Sequence, residues 1–109
     1  MRAADLNRRL VLEAPARIAD GAGGFTESWV ARGHIWAAVH VRGAGREVDQ
    51  AARLQLSITM RALPQGAQAR PDARMRFRDG ARVYRIEAVQ ESDATGRFLT
   101  CFAVEEVGR

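Results

Sequence analysis

The chain contains no lysine and a single cysteine, Cys101, among its 109 residues. One cysteine forbids an internal disulfide and leaves no thiolate set for a structural zinc, so packing alone must hold the fold. That usage fits a reducing or redox-indifferent setting. Aromatic residues make up only 6% of the chain, which leaves few rings to serve as base-stacking platforms. No apolar run approaches the roughly 18 residues that a membrane-crossing helix needs, so no membrane partner is expected. The opening MRAADLNRRL has charge with no apolar stretch behind it, which predicts no secretory leader. The only histidines, His34 and His40, are separated by about 20 Å of extended chain, too far to share a metal. The glycine-rich GAGG and GAG segments lack the GK[ST] ending of a phosphate cradle. Cys101 stands among apolar neighbours and reads as an inert buried thiol. No catalytic residue, metal ligand or cofactor site is expected, and the chain does not read as an enzyme.

What is present is arginine: it accounts for all 17 basic residues, against 13 acidic ones, for a net charge of +4. Guanidinium forks suit phosphate oxygens. Alanine and glycine are abundant too, however, and acidic residues are interspersed throughout, so the codon bias of a GC-rich genome is the favoured account of the arginines. With 47% hydrophobic residues, the chain forms one domain, residues 1–109, with one modest core.

The hydrophobic pattern is that of strands. Residues Arg8 to Ala14 alternate, and Pro15 is expected to end that strand. Ile18 to Thr26, with Asp20-Gly21 and Gly23-Gly24, reads as a mobile turn. In Phe25 to Val41, Trp29 precedes a break at Arg32-Gly33, after which Ile35, Ala37, Val39 and Val41 alternate with bulky residues on the other face. Leu54 to Met60 form a clean amphipathic strand, and Pro64 to Pro71 a connector. Met75 and Phe77, then Asp79-Gly80, then Tyr84, Ile86 and Ala88 make a hairpin whose type I′ turn would centre on Asp79 and Gly80. Phe98 to Val104 looks buried on both faces, and Glu105 and Glu106 read as solvated. The fold class is therefore all-β, a small antiparallel barrel of about six strands. Between strands two and three lies a long polar loop that could hold one or two helical turns.

Three groups of residues stand out for function. Arg42, Arg46, Glu47, Asp49, Gln50 and Arg53 make the segment from Arg42 to Arg53 polar and glycine-hinged, and loops of that length in a small domain are often functional. Trp29, Trp36 and His40 are candidates for an interface, although core packing is the default expectation for Trp36. Arg74, Arg76 and Arg78 line the outward face of the hairpin's first arm, a possible nucleic-acid stripe. Phe77, Tyr84, Phe98 and Phe102 fit an inward pattern instead, so a solvated strand face is the competing account.

The order of these features resembles the head–tail joining family of tailed phages, the head-closure or stopper proteins of the connector. The resemblance spans nearly the whole chain. It runs through Leu6-x-x-Arg9-Leu10-x-Leu12, Asp20-x-x-Gly23-Gly24, Trp29 and Ile35-Trp36-Ala37-x-Val39. It continues through Gly45-Arg46-Glu47, Thr59 with Arg61, Arg74-Met75-Arg76-Phe77, Asp79-Gly80, Tyr84-Arg85-Ile86 and Leu99-Thr100-Cys101. Ala62 and Ala69 depart from the family's pattern. The resemblance implies a structural subunit of the particle neck that forms a ring, commonly a dodecamer, beneath the portal and adaptor. Such a ring retains packaged DNA in its channel and docks the tail below. It implies that Arg42 to Arg53 faces the channel, and that the protein belongs to a phage, prophage or gene-transfer-agent particle. A small basic barrel that binds nucleic acid is the other function the residues allow.

Overall fold

The computed structural model describes residues 5–46 and 52–107. Six strands follow one another: β1 Arg8–Ala19, β2 Phe25–Arg46, β3 Ala52–Arg61, β4 Arg76–Asp79, β5 Arg82–Glu91 and β6 Phe98–Val107. They close into an antiparallel barrel in the order β1-β2-β3-β6-β5-β4, with β4 returning to pair with β1 at Val11–Glu13. The all-β barrel read from the alternation is the fold observed. Its core takes the inward residue of each alternating pair: Leu10, Leu12, Ile35, Ala37, Leu56, Ile58, Met60, Phe77, Tyr84, Ile86, Leu99, Cys101 and Ala103. Phe77 and Tyr84 are opposite each other on the hairpin and wholly buried. Burial pushes the Cys101 thiol up to about 12, so the thiol is protonated and inert.

Several local expectations are corrected. Pro15 does not end β1, which runs on to Ala19 with Pro15 opposite Trp29. The Asp20 amide donates to the Gly24 carbonyl at 3.1 Å. Antiparallel alternation then turns the main-chain groups of Ala14, Ala16 and Ile18 toward β2 and those of Pro15, Arg17 and Ala19 away from it. A proline on the unpaired side of an edge removes no ladder bond. The expected break at Arg32-Gly33 is a bulge: the register shifts where Leu12 faces Gly33 and Glu13 faces Ala31, and β2 continues through it. A second bulge, between Ile86 and Ala88, turns Val89 rather than Ala88 onto the core. The hairpin turn is Gly80–Ala81, not Asp79–Gly80. Asp79 still pairs with Arg82, and Gly80 takes a φ of 62°, which suits a residue without a Cβ.

The strand β6 is also longer than expected, and it buries Glu105. There the carboxylate accepts two hydrogen bonds from Arg82, from Nε and Nη2 at 2.8 Å each, the partner a buried anion requires. Phe98 is buried outside the barrel, in a small cluster with Leu6 and Ala38, so it does not point inward. Phe102 is only half-buried and carries the Arg42 guanidinium over its ring at 4.7 Å.

Candidate assembly surface

Beyond Glu13, β1 has only β2 for a partner. Ala14–Ala19 pair with Phe25–Val30 as a two-stranded arm, about 20 Å long at strand rise. The radius of gyration, 15.2 Å, exceeds the about 13 Å expected of a compact chain of this length, as a projecting element requires. The tip makes its own hydrogen bonds. Asp20 Oδ1 accepts from the amides of Ala22 at 2.8 Å and Gly24 at 3.1 Å, and Gly21 and Gly23 take φ values of 80° and 86°. Those two amide bonds hold the Asp20 carboxyl below its usual range.

The base of the arm is clamped by charge. Arg76 Nε donates to Glu13 Oε1 at 2.7 Å and Arg78 Nε to Glu13 Oε2 at 3.0 Å. The Arg76 guanidinium also lies over the Trp29 ring at 4.0 Å. Burial alone would raise the Glu13 carboxyl, but the hydrogen bonds from the two arginines outweigh it and hold it low. A second clamp, at the other end of the hairpin, joins Arg8 to Asp79, which also accepts from the Tyr84 hydroxyl at 3.3 Å.

On the arm the usual burial of apolar residues fails. Ile18 and Val30 on one face, and Phe25 and Trp29 on the other, are 38–57% exposed. Further along β2, Trp36 is 56% and Val41 63% exposed. Among the described residues, every large exposed apolar side chain is on β1 or β2. An open pocket of about 400 Å³ lies against Trp36, lined also by Leu6, Met60 and Leu63 and by the exposed His34 and Arg61.

The three interface candidates share β2 but do not form one cluster. Trp29 is on the arm, Trp36 on the outer wall of the barrel, and His40 exposed beyond it. Of the polar segment, Arg42 lies at a bulge in β2 and Arg46 ends that strand, while Arg53 lies in β3 opposite Gly45. The strands thus zip further than the expected loop allowed, and Glu47, Asp49 and Gln50 lie outside the described residues. The arginine stripe is partly spoken for, because Arg76 and Arg78 hold Glu13 and Arg74 pairs with Asp72 at 3.2 Å. Ile18, Phe25 and Val30 went unnoticed in the sequence. Alternation that continues past Pro15 into a glycine-rich turn was the signal for them.

Among the described residues, four of the six large exposed apolar side chains stand on the projecting arm and two, Trp36 and Val41, further along β2; contiguous exposed apolar surface of this kind marks contact sites. A family model for phage head completion proteins matches residues 1–106, and the chain belongs to that family. A chain in the solved structure of the virion of a native gene transfer agent particle is 47% identical to it. The match covers 93% of this chain and 94% of that one, with a TM-score of 0.82. No curated protein matches the chain.

Proposed function

We propose that the chain is a structural subunit in the neck of a tailed-phage-like particle, closing the filled head and offering a surface to the tail. The observation that carries this is the 47% identity, over nearly the full length of both chains, to a component of a gene transfer agent virion. In this reading copies form a ring beneath the portal and adaptor, and no catalysis is asked of the chain. The two ends of β2 support a division of labour. One end carries the apolar arm, and the other leads through Arg42 and Arg46 toward residues 47–51 and back by Arg53. We assign the arm end to protein neighbours and the polar end to the channel and its DNA.

Deleting the gene in its producing strain tests the reading. DNA-filled heads that lack tails or leak DNA are expected, and complete particles would overturn it. A free-standing nucleic-acid-binding barrel is less well supported, because Glu13 holds two of the stripe's three guanidiniums. It requires salt-sensitive DNA binding that is lost when Arg74, Arg76 and Arg78 are replaced together by Ser.

A further inference from the structure

Two apolar patches are left open on this chain, and they lie on different surfaces. The first is the outer face of the arm, where Phe25 and Trp29 flank Glu27 at alternate strand positions. The second is the pocket of about 400 Å³ between Leu6, Trp36 and Leu63, bordered by Arg61 and His34. Each patch has a charge with nothing to meet. Arg17 lies opposite Glu27 in the ladder, but its guanidinium rests over the Phe25 ring at 4.2 Å. Among the described residues the Glu27 carboxylate makes no ion pair or hydrogen bond, and the Arg61 guanidinium makes none either.

The patches match in shape and in one charge pair: Glu27 stands between two aromatic rings on one, with Arg17 held against the Phe25 ring, and Arg61 stands beside an apolar hollow on the other. They cannot meet within one copy. Phe25 and Trp36 both sit on β2, about 35 Å apart along the extended strand. The hollow is within the roughly 300–1,000 Å³ range of sites that enclose a ligand, so it has room for one aromatic ring.

We propose that the arm of one copy docks in the Trp36 pocket of a second copy of this chain, with Phe25 entering the hollow and Glu27 meeting Arg61. The proposal deepens the neck-subunit reading and rests on it, since the partner is the next copy in the particle. Knob and hollow are different surfaces, so the contact is heterologous. Each copy offers an arm forward and a pocket behind, which gives a ring where the rotation closes.

Crosslinking tests the contact directly. The Cys101 thiol is buried and protonated, so introduced cysteines are the ones that react. Phe25→Cys and Trp36→Cys are combined in one chain and the assembled particles are mildly oxidised. The separation along β2 is far beyond the about 7 Å limit between Cα atoms for a disulfide, so any bond formed joins two copies. A ladder of covalent multimers is expected from the double variant and none from either single one. Complete particles with no ladder overturn the contact while leaving the neck-subunit reading in place. If the double-cysteine chain fails to enter particles, charge reversal decides. Glu27→Arg and Arg61→Glu are each expected to lower incorporation about tenfold, as facing like charges do, and together to restore it. Failure of the pair to restore incorporation overturns the contact. Complete particles from the deletion strain would instead overturn the neck-subunit reading itself.

Discussion

The barrel and the arm are made from the same two strands and obey opposite rules. Within the barrel, β1 and β2 alternate in the ordinary way, and Leu10, Leu12 and Ala37 have no exposed surface. A few residues along, the strands still pair, but Ile18, Phe25, Trp29 and Val30 stand in water. The change falls at the bulge opposite Leu12 and Glu13, where β4 stops accompanying β1. A two-stranded hairpin is marginal by itself, and this one is held by contacts of another kind. Two guanidiniums meet the Glu13 carboxylate, one of them also covers Trp29, and Arg17 covers Phe25. Hydrophobic burial stabilises the barrel, whereas charge and stacking tie down the arm, whose apolar side chains remain partly exposed.

That contrast can be broken at several points. Phe77→Ala empties the middle of the barrel and is expected to cost about 3–5 kcal/mol in chemical denaturation; a loss below about 1 kcal/mol would mean that the ring does not anchor the core. Glu13→Gln strikes the junction, and a loss of about 1–3 kcal/mol is expected for a half-buried charged hydrogen-bond acceptor. It should also change the fluorescence of Trp29, because Arg76 is then no longer tied between carboxylate and indole. An unchanged spectrum would show that the clamp does not orient the arm. Acid should act on the same group. The folded state holds the Glu13 carboxyl below its ordinary value of 4.5. Its contribution is therefore complete above pH 4.5 and lost as the pH falls through the folded value. A denaturation series from pH 7 to pH 3 should decline in that window, and Glu13→Gln should flatten the part of the decline that Glu13 causes. Smallest in stability, and largest in assembly, is Ile18→Ser with Phe25→Ser. Each should change unfolding free energy by no more than about 0.5 kcal/mol while sharply lowering incorporation into particles. A large stability loss would make the arm part of the core after all.

The barrel was legible because alternation is local. Leu54 to Met60 and Phe98 to Val104 display their strands within a few residues, and a ring of such strands leaves few ways to close. The arm was not legible, since Pro15 is a stop signal anywhere except on an unpaired edge, and whether an edge is unpaired depends on β4, some sixty residues later. The same distance hid the use of Arg76 and Arg78. A stripe of arginines at alternate positions looks free until Glu13 is brought across the closing seam. Glu105 was misread for a related reason, because its burial depends on Arg82 arriving from another strand. Trp29, Trp36 and His40 were singled out as interface candidates, with a break expected after Trp29; all three lie on β2, and the bulge at Arg32 and the departure of β4 decide which of them stands on the arm and which on the wall.

Pro15 has one more consequence, for how the number of copies in an assembly is controlled. An open pair of strands with free amides along its edge would act as a template, and each copy added to a template presents the same edge again, so growth has no natural end. On the β1 side of the arm, only Pro15, Arg17 and Ala19 turn their main chain toward the open edge. The first has no amide hydrogen to offer, and the second sets a charge beside it. Recruitment by backbone is thereby hindered along that edge, which leaves side chains that fit to hold a newcomer there. Contacts of that kind fix the angle between neighbours, and it is the closing of the ring that ends addition.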